Sequence, residues 1–158
     1  MLTEGERREI LEDAERSGHR RAAGLGALKI VQRHRGWVSD ETLRETAKLL
    51  QMTPDELDSV ATFFSLIFRK PVGRHVILVC DSVSCWIMGY DEVREHLKAR
   101  IGIGLGETTA DGRFTMLPIA CLGACDRAPA MMVDEELYGN LTPEKIDEIL
   151  AAYSEDAG

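Results

Sequence analysis

Four cysteines carry the chemistry legible in this chain, and they fall into two short-spaced pairs, Cys80-x4-Cys85 and Cys121-x3-Cys125. Thiolates are soft ligands, and four of them form the donor set of a [2Fe–2S] cluster, two for each iron. The same four would also bind structural zinc, whose cysteine pairs are usually closer, at Cys-x2-Cys. A dithiol oxidoreductase fits less well, because no Cys-x-x-Cys is present. Free cysteines also serve as small buried apolar residues, but that role does not call for two short-spaced pairs. On spacing alone the cluster leads and zinc is its competitor.

The other candidate motifs lead to no chemistry. His19, His34, His75 and His96 are scattered, without ligand spacing to the cysteines, and read as surface or strand residues. Gly24-Leu25-Gly26 and Gly102-Ile103-Gly104-Leu105-Gly106 do not complete a dinucleotide fingerprint after a strand, and read as helix entry and loop. No Ser/His/Asp set, paired carboxylate site or phosphate loop stands out, so no catalytic residue is assigned.

Each cysteine pair follows a predicted strand. His75 to Cys80 is a β-branched run of the kind that forms a buried strand, and Arg113 to Ile119 is a second. If the two strands are neighbours, both loops emerge at one end of the sheet and four sulfurs converge. Gly123 can bring its amide close to the sulfurs of the second loop, and a helix after Cys85 would aim its first N–H groups at them. Pro129 would stiffen the exit of that loop. The helix after Cys85 has Val93 and Leu97 on one face and runs to about Arg100; Gly102 to Gly106 and Asp111-Gly112 then mark a loop and a tight turn. Further strands are expected at Ala130 to Val133 and around Leu137-Tyr138. Thr142 and Pro143 open a last helix with Ile146, Ile149, Leu150 and Tyr153 on one side.

Residues 1–70 read as helices. Thr3 and Glu6 have capping-box spacing before a helix from about Glu4 to Arg16, and Leu25, Leu28, Val31 and Gln32 give a second helix that stops before Gly36. Ser39 caps a third, with Leu43, Ala47 and Leu50 on one side. In the fourth, Thr53, Pro54 and Glu56 build the start, and Leu57, Val60, Ala61 and Phe64 form one stripe. Helical periodicity ends near Pro71, which predicts two parts, residues 1–70 as a helical docking region and 71–158 as an α/β sandwich of thioredoxin-like size. Phe63, Phe64 and Phe68 could line the cluster or a partner surface, but like Met131-Met132 they are expected mainly in core packing.

The 158 residues and 44% hydrophobic content suffice for a real core, and the net charge of -8 argues against nucleic acid and anionic membrane surfaces as partners. The charged opening, MLTEGERREILEDAERSGHR, does not read as a secretory signal, and no apolar run approaches a membrane span. A cytoplasmic chain without direct membrane insertion is expected.

Cys80-Asp81-Ser82-Val83-Ser84-Cys85 and Cys121-Leu122-Gly123-Ala124-Cys125-Asp126-Arg127-Ala128-Pro129 resemble the two cluster loops of a known family, the thioredoxin-like [2Fe–2S] subunits of respiratory NADH:quinone oxidoreductases (complex I). Ala27 to Gln32, Gly36-Trp37-Val38, Val60 to Phe64, Pro71 to His75 and Asp111 to Thr115 resemble further segments in the same order, from about residue 20 to 153. Phe64 departs from the pattern, which often has tyrosine there. The resemblance implies one [2Fe–2S] cluster on Cys80, Cys85, Cys121 and Cys125, with each pair holding one iron. It also implies an electron-transfer role beside a flavoprotein subunit that binds FMN and NADH, with other peripheral-arm subunits nearby. The complex would lie against the inner face of the plasma membrane. The equivalent subunits of NAD-linked formate dehydrogenases and hydrogenases share this chemistry. A free ferredoxin would not need the helical extension, and a zinc-stabilised interaction module is the reading from a different class.

Overall fold

A computed structural model describes residues 1–154 of the chain, which divides into two compact units, Met1–Pro71 and Val72–Gly158. In the first there are four helices, α1 Glu4–Arg16, α2 Gly24–Arg35, α3 Asp40–Leu49 and α4 Pro54–Phe63, of which α1, α3 and α4 follow the capping side chains of Thr3, Ser39 and Thr53. Both capping boxes form, Thr3 with Glu6 and Thr53 with Glu56, so backbone N–H groups left over at each helix start find acceptors. Helix α2 ends where Gly36 takes a left-handed φ of 79°. Ile10, Leu28, Val31, Val38, Leu50 and Leu57 are wholly buried at the centre of this unit. A 3-10 turn, Arg20–Ala23, stands where no element is predicted, capped by the His19 ring.

Glu6 sits inside this unit with 2% of its surface exposed, which its partners make tolerable. Arg35 grips it with two parallel bonds, Nε to Oε1 at 2.6 Å and Nη2 to Oε2 at 2.7 Å, and the Thr3 N–H donates at 2.6 Å.

One expectation fails here. Phe64 does not join the buried stripe of α4, and Phe63 and Phe64 are 81% and 40% exposed. The helix ends at Phe63, and Phe64 turns to extended backbone (φ -91°, ψ 108°), so the 3.6-residue period no longer governs where its ring lies.

The second unit is an α/β fold with a five-stranded sheet in the order β2-β3-β1-β4-β5. Its elements are β1 His75–Cys80, α5 Val83–Ile87, α6 Tyr90–Ile101, β2 Glu107–Thr108, β3 Phe114–Ile119, β4 Met131–Val133, β5 Glu136–Tyr138 and α7 Pro143–Ser154. All six residues of β1 are buried, as a central strand requires. β1 and β3 run parallel; β4 pairs with β1, β5 with β4 and β2 with β3, all antiparallel. Helices α6 and α7 pack together, and Ile77, Val79, Leu97, Met116, Met131 and Ile146 share one core. At the start of β1 the His75 Nδ1 lies 2.7 Å from Asp134 Oδ2, and the Val76 N–H donates to Oδ1 at 2.9 Å. The strand β2, read as loop from its glycines, exists because Glu107 and Thr108 find partners in Met116 and Thr115.

Candidate metal centre

The parallel register of β1 and β3 brings the cysteine pairs to one edge of the sheet. Cys80, the last residue of β1, is aligned with Ile119, the last of β3, and the Asp81 N–H donates to the Ile119 carbonyl at 3.1 Å. Cys121 follows two residues later. Parallel strands end at the same side of a sheet, so both loops start together.

The first pair is the buried one. Cys80 and Cys85 are 3% and 2% exposed. Cys85 lies within the short helix α5, which has Ser82 at its N-cap position and the Trp86 N–H donating to the Ser82 carbonyl at 2.8 Å, while the helix expected after Cys85, with Val93 and Leu97 on one face, is α6, Tyr90–Ile101. Around Cys85, Val83, Trp86, Ile87 and Met88 are more than half exposed, an apolar surface that the run Val83-Ser84-Cys85-Trp86-Ile87-Met88 already displays in sequence.

Cys121 and Cys125 are exposed. Gly123 adopts a left-handed φ of 71° and its N–H donates to Cys121 Sγ at 3.2 Å, which places the amide where the sequence anticipates it. Cys125 opens a 3-10 turn, Cys125–Arg127, and the Ala128–Pro129 bond beyond it is cis. The loops are joined by the Cys80 N–H, which donates to the Ala130 carbonyl at 3.2 Å. Small side chains fill the space: Cys80 and Cys85 pack with Ala124, Ala128 and Ala130, with Ile119, Leu122 and Leu137 at the margin. Those alanines are part of the site that spacing analysis does not single out.

This environment acts on the thiols. Burial pushes Cys85 up to about 11, and the neighbouring Cys80 thiol and, more weakly, Cys125 add to the effect. A cationic metal reverses that balance, because a coordinating thiol is held deprotonated. Among the described residues, no three Cys, His, Asp or Glu side chains are gathered so as to hold a single metal ion. A binuclear cluster asks for two thiolates on each iron rather than three or four donors on one ion. Two pairs on adjacent loops, one buried and one exposed, match that donor set in number and type. The histidines have other partners: His34 lies 2.9 Å from Glu9, His96 2.8 Å from Asp147 and His75 against Asp134, while His19 caps a turn.

The thioredoxin-like [2Fe–2S] ferredoxin family matches residues 8–154. The chain belongs to that family. The E subunit of the NADH-quinone oxidoreductase of Pseudomonas aeruginosa is 47% identical over 153 residues, covering 97% of this chain and 92% of the relative. The corresponding E subunit from Escherichia coli strain K12 is 48% identical over 152 residues, covering 96% and 92%. The crystal structure of an NAD+-reducing [NiFe]-hydrogenase in the H2-reduced state has a TM-score of 0.70 at 26% identity. That match covers 83% of this chain and 22% of the hydrogenase chain, so the ferredoxin-family fold there is one part of a longer polypeptide. The α/β fold behind a helical N-terminal region is thus the fold of the family.

Proposed function

We propose that this chain is the electron-transfer subunit of a respiratory NADH:quinone oxidoreductase, and that Cys80, Cys85, Cys121 and Cys125 hold one [2Fe–2S] cluster. The observation that carries the reading is the β1–β3 register, which starts both cysteine loops from the same edge of the sheet. The cluster, when bound, supplies a one-electron redox centre. The chain's own residues hold it: the two pairs as ligands, the Gly123 amide directed at Cys121 Sγ to stabilise negative charge on sulfur, and the alanine-lined pocket to exclude water around Cys80 and Cys85.

NADH gives up a hydride, two electrons at once, so a flavin must stand between it and a one-electron centre. The sequence has no complete dinucleotide fingerprint, and the edge of the sheet at Cys80 and Ile119 is occupied by the cysteine loops. These features support assigning the flavin and the NADH site to a partner subunit, and no catalytic residue is assigned to this chain. Among the described residues no helix is long and apolar enough to cross a membrane, in keeping with a chain that reaches the cytoplasmic face of the membrane through its complex. The identity of 47–48% across nearly the whole length of two respiratory E subunits favours the respiratory complex over the hydrogenase at 26%. Anaerobic titration with NADH tests the division of roles. The isolated cluster-loaded chain should stay oxidised, and bleaching of its visible absorbance by NADH without an added flavoprotein would overturn the assignment.

A further inference from the structure

The second cysteine loop is held from outside by a segment that carries no ligand. Gly139, Asn140 and Leu141 connect β5 to α7, and this connector runs against the backbone just after Cys125. The Asn140 N–H donates to the Arg127 carbonyl at 2.5 Å and the Leu141 N–H to the Pro129 carbonyl at 3.1 Å. At Gly139 the approach is closer than any side chain allows. A methyl group there would stand 2.5 Å from the Arg127 Cβ and 2.7 Å from the Arg127 carbonyl oxygen, against backbone that cannot swing aside. Lys145 on α7 fixes the connector in turn, its Nζ donating to the Gly139 carbonyl at 2.5 Å.

We infer that Gly139 and Lys145 are positioning residues for Cys125, setting the seat of the 3-10 turn that presents this thiol. The inference rests on the ligand reading proposed above. The physical chain is short: Gly139 lets the connector touch Arg127, the connector fixes the Arg127 and Pro129 carbonyls, and the turn Cys125–Arg127 has one end anchored. One residue beyond Pro129 the same segment is anchored again, by the Cys80 N–H bond to the Ala130 carbonyl. A ligand on an exposed loop needs such support, because outer groups that orient ligands commonly change metal affinity by roughly 10–100-fold. Displacing the turn also alters the solvent exposure of the Cys125 sulfur, one of the factors that set a cluster's potential.

The test uses the full cluster-loaded chain and three variants, Gly139→Ala, Lys145→Met and Gly73→Ala. The last is a matched steric control, since a methyl at Gly73 would stand 2.9 Å from the Phe114 carbonyl carbon, before the start of β1 and away from the cysteine loops. For each we measure iron release to a chelator, the paramagnetic spectrum of the reduced state and the thermal midpoint. Gly139→Ala should speed iron release at least about tenfold and shift the spectrum; Lys145→Met should move both the same way by less. Gly73→Ala should lower the thermal midpoint with the spectrum unchanged. If Gly139→Ala cannot be obtained folded, the Lys145→Met release rate and spectrum decide alone. Wild-type release and spectrum in both connector variants, or equal changes in Gly73→Ala, would overturn the inference while leaving the ligands in place. A wild-type chain that never holds iron would overturn the inference together with the ligand assignment.

Discussion

Cys80 and Ile119 are the last aligned pair of the two parallel strands β1 and β3, and Cys121 follows Ile119 by two residues. One residue of slip in that register would turn every side chain of the slipped strand to the opposite face. All six positions of β1 are buried, so the sheet around it fixes where the first pair begins.

All four cysteines are expected to be required. Cys80→Ala, Cys85→Ala, Cys121→Ala and Cys125→Ala should each lose the cluster or bind it far more weakly, read as iron and acid-labile sulfide per chain. Full iron content with an unchanged visible spectrum in any one variant would remove that cysteine from the ligand set.

The helical unit should weaken in acid through Glu6. Arg35, first, and the Thr3 cap hold this carboxyl at about 2 against an ordinary 4.5. Its folded value is depressed, so its stabilising contribution is complete above about 4.5 and is lost as pH falls toward 2. Glu6→Gln should flatten the loss of stability of the full chain over that window and cost about 2 kcal/mol at neutral pH, by denaturant titration. An acid limb identical to wild type would show that Glu6 does not carry this dependence.

Much of this was readable in the chain, and what was not has physical causes. The Thr3–Glu6 and Thr53–Glu56 boxes act between residues three apart, so sequence alone places those helix starts. Strand β2 is two residues long and owes its existence to β3, a partner no local pattern names. Helix α5 has five residues, too few for periodicity to separate it from a loop, so Cys85 reads as a loop residue. The cysteine spacing shows which residues are candidates; that their loops start side by side follows only from the β1–β3 pairing. The demand for glycine at 139 comes from Arg127, twelve residues upstream, and has no local signature.

Phe63 should be nearly silent for the stability of the isolated chain. It is 81% exposed, and its ring meets Phe64 edge-on at 5.2 Å between centroids. Phe63→Ser should change unfolding free energy by no more than about 1 kcal/mol, whereas a core truncation such as Leu57→Ala should cost about 2–5 kcal/mol. Equal losses from both would place Phe63 in a core.

The second unit should assemble the cluster by itself. Its sheet, both cysteine loops and the Gly139 connector all lie beyond Val72, so a fragment from Val72 to Gly158 contains every group assigned to the site. Iron and sulfide bound by that fragment in the proportions found for the full chain is the expected result. A fragment that folds, by circular dichroism, yet binds none would make the helical unit part of the centre.

The most direct test is the metal content and spectrum of the full chain purified without added metal. Four thiolates in two pairs predict a red-brown protein with about two irons and two acid-labile sulfides per chain, negligible zinc, and a one-electron paramagnetic signal after strong chemical reduction. A colourless protein holding one zinc per chain and no sulfide would contradict the account and return the four cysteines to a structural role.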